Sequence, residues 1–252
     1  MDECRIRIAA AGDIHVGERA NDRERAAEAF AALADRADLV LLAGDLTTHG
    51  EPEQAAIVAD AARELEIPVV TVLGNHDWHA DRAGEVRAVL EEAGIVVLER
   101  SHHIVEVCDT EVGIAGTKGF IGGFAGSHLP DFGEPSLRAI YAEGMEEVAA
   151  LDEGLRAIAL CPFRIALLHY APTSETLVGE RRDIWTFLGT DRLAPPILEH
   201  APNLALHGHA HAGTFEGRIG EVPVYNVSVP VLGEDWWVFE LAGEARAPSE
   251  VR

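Results

Sequence analysis

The chain has 252 residues, 48% of them hydrophobic, and 20 Lys+Arg against 43 Asp+Glu give a formal charge of −23. That hydrophobic share excludes a disordered or collagen-like chain. The acidic excess, with no stretch that concentrates Lys or Arg, argues against long nucleic acid or an anionic membrane as a partner.

Cys4, Cys108 and Cys161 lie far apart with no CxxC pair, which argues against a disulfide framework or a thiolate zinc site and fits a reducing, cytoplasmic setting. The start, Met1 to Arg5, is acidic where a secretory signal needs positive charge, and no apolar run approaches ~18 residues. The expectation is an unexported protein that is not anchored in a membrane.

In chain order, Arg5 to Ala11 is an apolar run that ends in Gly12-Asp13, and Asp38 to Ala43 repeats the pattern before Gly44-Asp45. Both predict buried strands. Between them, Asn21 to Ala37 carries Ala27, Phe30, Ala31 and Leu33 at helical spacing, with Asp22 at its amino end, so the three segments form a βαβ unit. A helix over Pro52 to Leu65, a strand over Val69 to Leu73 and a helix over Arg82 to Ala93, closed by Gly94, continue the rhythm. Beyond Gly94 come short β-like runs, 95–98, 104–107 and 112–115, where the sheet becomes mixed. Helical stretches over 135–160 and 191–200 then alternate with strands at 165–168 and 204–206, and 222–241 is expected to form further strands. No repeat or linker divides the chain, so residues 1–252 are expected to form a single domain. The glycine-rich insert from Lys118 to Glu134 is expected to be a mobile surface loop.

Five of the apolar runs end, on their carboxyl side, in groups able to bind metal: Asp13-Ile14-His15, Gly44-Asp45, Gly74-Asn75-His76-Asp77, His169, and Gly208-His209-Ala210-His211. If these strands share one sheet, their ends share the rim where open α/β sheets place ligands. With 12 His in the chain, an HxH triplet arises by chance about 0.6 times, whereas Gly-Asn-His-Asp arises roughly once in a thousand such chains. Taken singly, Asp13, Asp45 and Asn75 also suit turn and capping duty, and His169 suits a hydrogen-bonded core position. The bland reading therefore needs five coincidences.

These ordered blocks resemble the calcineurin-like metallophosphoesterases, whose pattern D-x-H, GD, GNH[DE], H and GHxH occurs here in full from Asp13 to His211. The resemblance implies an α/β fold, a metallophosphoesterase-like α/β/β/α sandwich of two packed mixed β-sheets flanked by helices. It also implies two transition-metal ions. Asp13, His15, Asp45 and His211 would hold the first; Asp45, Asn75, His169 and His209 would hold the second; Asp45 would bridge them. His76 would be the catalytic group beside the leaving oxygen.

The implied reaction is hydrolysis of a phosphodiester or phosphomonoester of a small molecule through a metal-bridging hydroxide, with diesters favoured. Two cations about 3.5 to 4 Å apart neutralise the phosphoryl oxygens and generate hydroxide at neutral pH. Oxygen and imidazole ligands without thiolate suit Mn, Fe, Zn or Co, with Mn the choice for assay. A catalytically silent scaffold for protein binding and a nuclease of the same family are the alternatives.

The sequence departs from the family pattern in two places. Thr48 stands where many members carry an Asp that orients the GNH histidine, so no charge is supplied there. His49 stands where some phosphatases carry a phosphate-gripping Arg. His49 and His128 are candidates to reach substrate, and Arg181 and Arg182 are candidates to clamp a phosphate. Trp185 and Phe187 suit the core better than a base-stacking role. His79, His102, His103, His200 and His207 suit surface or packing roles.

Overall fold

The structure, a computed structural model, describes residues 4–243, so the acidic start Met1 to Glu3 lies outside it. The amino-terminal half runs β1 (Cys4–Ala11), α1 (Asp22–Ala31), β2 (Leu39–Ala43), α2 (Pro52–Arg63), β3 (Val69–Val72), α3 (Ala83–Glu92), β4 (Val96–Val97), β5 (Ser101–Val107) and β6 (Thr110–Thr117). The remainder runs α4 (Pro135–Ala157), β7 (Phe163–Leu168), α5 (Trp185–Leu188), α6 (Ala194–His200), β8 (Leu204–His207), β9 (Glu216–Ile219), β10 (Val222–Asn226), α7 (Val229–Leu232) and β11 (Trp237–Gly243).

Strand alternation builds the layers. Ile6, Ile8, Leu39, Leu41, Val70 and Val72 face Val112, Ile114, Ile165, Leu167, Leu204 and Leu206 in one core between two sheets. Their neighbours Ala9, Val40 and Leu42 point the other way, into a second core under α1, α2 and α3. Ala115, Ala166, Leu168 and Ala205 back onto α4 and α6 in a third.

The first sheet has the order β11-β1-β2-β3-β4 and the second β5-β6-β7-β8-β10-β9. In the first, β11 is antiparallel to β1 while β1, β2, β3 and β4 run parallel. In the second, β6, β7, β8 and β10 run parallel between antiparallel β5 and β9. The result is the α/β/β/α sandwich with two mixed sheets.

Several expectations need correction. The strands that end in the candidate ligands do not share one sheet: β1, β2 and β3 lie in the first, β7 and β8 in the second. The rim is shared because the sheets pack face to face. Helix α1 ends six residues early, since Leu33 and Arg36 donate backbone N–H groups to carbonyls three residues back and the chain tightens into turns before β2. The tail is not all strand: Pro230 near the start of α7 and left-handed Gly233 at its end give one helical turn there.

Residues 118–134 are irregular, as predicted, and they are tied to the chain after β7. Arg192 donates to the carbonyls of Gly122 and Leu129, and Gly123 N–H donates to Gly189. No helix among the described residues is long and apolar enough to cross a membrane.

A local test of the architecture is available in α3. A Cβ built on Gly84 meets nothing within 4 Å. Gly84→Ala is therefore expected to raise stability by about 0.5–1 kcal/mol in chemical denaturation, because Ala loses less backbone entropy in a helix.

Candidate metal centre

The loops that follow β1 and β2 continue side by side beyond their strands. Asp13 N–H donates to Gly44, His15 to Asp45 and Val16 to Leu46, all through backbone carbonyls. This register carries Asp13, His15 and Asp45 to the same edge. All three adopt left-handed backbone, with φ of 58°, 49° and 51°, as does His209 at 69°. Left-handed conformation at non-glycine residues persists only where surrounding contacts enforce it, and it clusters at functional sites.

Glycines make room for the acids. A Cβ on Gly74 would lie 2.0 Å from Asp45 Oδ1, and one on Gly208 would lie 2.3 Å from Asp13 Oδ2. A side chain at either glycine would therefore displace one of these carboxylates.

The two carboxylates are deeply buried, Asp13 at 3% and Asp45 at 1% exposure. Asp13 Oδ2 accepts the His209 backbone N–H at 2.8 Å, and its Oδ1 faces His211 Nε2 at 2.9 Å. Asp45 Oδ1 accepts the His76 backbone N–H at 2.8 Å and lies 3.4 Å from His169 Nε2. His15 Nε2 stands 3.9 Å from Asp13 Oδ1 and 3.8 Å from Asp45 Oδ2. His169 Nδ1–H donates to the Ala43 carbonyl at 2.8 Å, so its Nε2 lone pair faces another acceptor, Asn75 Oδ1, at 2.9 Å. His209 Nε2–H donates to the Phe187 carbonyl at 3.1 Å, which leaves Nδ1 for a ligand role.

Among the described residues three buried side-chain atoms have no hydrogen-bond partner, and two of them, His15 Nε2 and Asp45 Oδ2, lie in this cluster; the third is Ser228 Oγ. Buried acceptors without donors are costly, and so are lone pairs packed against lone pairs. A cation relieves both. The side chains fall into three overlapping sets with ligand atoms within 4.8 Å of one another: Asp13, His15 and His211; His15, Asp45 and His76; and Asp45, His169 and His209. The residues present fit a metal pair on this count, with Asp45 common to two sets.

The electrostatics agree. Burial pushes the Asp45 carboxyl up to about 9, and the charges of Asp13 and Asp77 add to it. Burial would also raise Asp13, but the His211 hydrogen bond and the facing imidazoles hold it well below the usual carboxylate range. Burial lowers His15 to about 4 against the pull of Asp13, and it lowers His169 and His209 as well. Neutral imidazoles are the ligand form. His211, hydrogen-bonded to Asp13, is raised.

His76 stands at the edge of the cluster, its ring 4.5 Å from that of His15. Its Nδ1–H donates to the backbone carbonyl of Thr48 at 2.7 Å. The Thr48 hydroxyl takes no part, since it donates to the carbonyls of His15 and Val16. A main-chain carbonyl thus does the orienting for which the pattern's Asp would be used, and His76 Nε2 is left for the site.

Asp77 has a larger role than its place in the tetrapeptide suggested. It is fully buried, and its carboxylate accepts from Leu46 N–H, Thr47 N–H, the Thr47 hydroxyl and Gly74 N–H at 2.7–3.2 Å. It therefore locks the GD loop to the GNH loop. Burial raises its carboxyl while the four donors pull it back. The fourth position of Gly-Asn-His-Asp was the available signal. Nothing in the sequence marked Asn226, whose buried amide donates to the Ala210 carbonyl and fixes the GHxH turn.

The secondary candidates sit apart from these contacts. His49 is exposed and pairs with Gln54, and His128 Nε2 lies 2.7 Å from Asp191. Arg181 is taken by Asp183, and Arg182 stacks on Trp185 at 4.5 Å. Trp185 packs against Phe124, Leu177 and Leu188 as expected of a core residue, whereas Phe187 is 56% exposed. His207 is buried against Thr176, and His200 pairs with Asp152.

The model of the calcineurin-like phosphoesterase family matches residues 6–213. One subunit of the nuclease SbcCD of Rhodobacter capsulatus is 28% identical over 98% of this chain and 69% of its own length. The crystal structure of phosphopantetheinyl hydrolase (PptH) from Mycobacterium tuberculosis superposes with a TM-score of 0.65 at 17% identity, covering 88% of each chain. GAP50, the anchor in the inner membrane complex of Plasmodium, superposes at 0.54 with 14% identity, covering 90% of this chain and 72% of its own. The two structures share the fold, and the family match extends through every ligand block, so this chain belongs to the calcineurin-like phosphoesterase family.

Proposed function

We propose that this chain is a phosphoesterase that works with two metal ions, hydrolysing phosphodiesters in preference to phosphomonoesters. Asp13, His15, Asp45 and His211 would hold one ion and Asp45, Asn75, His169 and His209 the other. The observation that carries the reading is the buried convergence of Asp13 and Asp45 with partnerless atoms on Asp45 and His15. When bound, such a pair neutralises phosphoryl oxygens and lowers the pKa of attacking water. Mn, Fe, Zn or Co suits the donor set.

The protein's own groups supply the rest. His76 Nε2 would hold or deliver a proton at the departing oxygen, a role supported by the Thr48 carbonyl engaging Nδ1 and leaving Nε2 free. The preference for diesters is supported by the modest cationic charge at the site: among the described residues no Arg or Lys side chain is hydrogen-bonded to the ligand cluster and Lys118 is one ammonium near it, whereas a dianionic monoester asks for more cationic charge than a monoanionic diester. His49, His128, Arg181 and Arg182 remain outer candidates for contact with a larger substrate.

The test is release of nitrophenol from bis(p-nitrophenyl) phosphate and from p-nitrophenyl phosphate with Mn²⁺. The expected result is metal-dependent turnover with the larger kcat/KM on the diester. Turnover equal to that of the chelated protein would contradict the assignment. His76→Ala is expected to lower kcat by about 10²–10⁴ while leaving metal content unchanged. Loss of metal would instead make His76 a ligand.

A nuclease reading is favoured by the likeness to a component of the nuclease SbcCD. The charge of −23 opposes it. Cleavage of an oligonucleotide at low salt would establish the nuclease, and its absence beside active diester hydrolysis would leave the small-molecule reading.

A further inference from the structure

Beside the ligand cluster lies a cavity of about 490 Å³, a size that suits a small organic ligand. Asn75 and Tyr170 border it on the cluster side, Trp78, Lys118 and Phe120 supply an aromatic and cationic wall, and Glu99, Glu143 and Glu147 with Arg100 supply a charged one. Trp78 follows directly on the Asn75-His76-Asp77 turn, lines the cavity and is 45% exposed, so its ring is open to a ligand.

Lys118 is set among these rings. Its Nζ lies 4.5 Å from the Phe120 ring centroid, 5.5 Å from that of Tyr170 and 6.0 Å from that of Trp78. The ammonium makes one hydrogen bond, to the Gly119 carbonyl at 3.2 Å, and among the described residues no carboxylate lies within 4 Å of it. The nearby Glu143 and Glu147 are already engaged by Arg100. In a chain with 43 acidic residues, a cation left with spare donors in a half-buried aromatic setting is suited to an anionic ligand. The Lys118 backbone is anchored beside the cluster, because its carbonyl accepts the backbone N–H groups of both His169 and Tyr170.

We infer that this cavity is the subsite for the organic group of the substrate, and that it selects a phosphoester bearing a flat aromatic ring. The ring lies against Trp78 and Phe120, and Lys118 holds an anionic oxygen of the same molecule. The inference rests on the metal-centre reading for the position of the phosphoryl group. A saturated ester of equal charge would leave the Trp78 face uncovered and bind more weakly.

Titration calorimetry of the manganese-loaded protein tests this with phenylphosphonate and n-propylphosphonate, which carry the same anionic group, have no ester bond to hydrolyse and differ in the ring. The wild type is expected to bind the phenyl compound about tenfold tighter, the scale of one stacking contact. Trp78→Ala should abolish the difference and Trp78→Phe retain it. Lys118→Met should weaken both ligands about tenfold. Equal affinities in the wild type, or a ring preference that survives Trp78→Ala, would overturn the subsite. Metal content is measured on every variant, so that a misfolded one is recognised and Trp78→Phe decides in its place. Because the titration needs no turnover, a protein inert toward diesters that still prefers the ring would overturn the hydrolase reading and leave the subsite standing. An active hydrolase without the preference would do the reverse.

Discussion

Asp45→Asn is expected to lower manganese-dependent diester hydrolysis by at least about a thousandfold in kcat/KM, the cost of losing several kcal/mol of charge stabilisation at the reacting phosphate. Asp45 is the acid common to two of the three ligand sets, and its Oδ2 has no hydrogen-bond partner among the described residues. An amide is neutral and a poor bridge between cations.

The same substitution has an opposite effect on the metal-free protein. In the fold, the Asp45 carboxyl is pushed up to about 9, first by burial and then by Asp13 and Asp77. In the unfolded chain it titrates near 3.9, so between about pH 4 and 9 the folded state binds the extra proton. This group therefore makes stability fall as pH rises through that window, and the penalty is complete above it. Asn cannot ionise and escapes the penalty. In chelator at pH 8 to 9, Asp45→Asn should melt above the wild type; with excess Mn²⁺ the order should reverse, because the wild type gains RT ln(1 + [L]/Kd) and the variant does not. Thermal melts with and without metal check both halves.

Asp77→Ala is expected to cost about 3 kcal/mol or more, which for a chain of this size lowers Tm by roughly 6–12 °C. Its four donors, from Leu46, Thr47 and Gly74, are buried and would have no water to replace the carboxylate. Asp77→Asn should fall between, since its amide presents an NH₂ group toward N–H donors. Both should also reduce activity, because the loops that hold Asp45 and Asn75 lose their register. Urea unfolding and diester kinetics on the soluble fraction check this.

The strand ends were legible because a buried parallel strand is a continuous apolar run, and a ligand just past its carboxyl end stands out against it. Asp13, Asp45, Asn75 and His169 are legible as candidate ligands in that way. Which strands share a sheet was not legible, since Ile165 and Leu204 are as apolar as Ile8 and Leu41; only packing shows that β7 and β8 face β1 to β3 across a core. Strand β9 was missed because it is short, at an edge and half exposed, with Gly217 inside it. The orientation of His76 was hidden for a different reason, namely that its partner is a main-chain carbonyl, which any residue at position 48 would offer. Lys118 was hidden too, because a lysine gains its meaning from rings at positions 78, 120 and 170 that only folding gathers.

The proposed chemistry requires two ions that share Asp45, and anomalous diffraction from crystals grown with Mn²⁺ tests this most directly. The expected map holds two peaks per chain, one among Asp13, His15 and His211, the other among Asn75, His169 and His209, with Asp45 touching both. A single peak, or none, in this pocket would contradict the account.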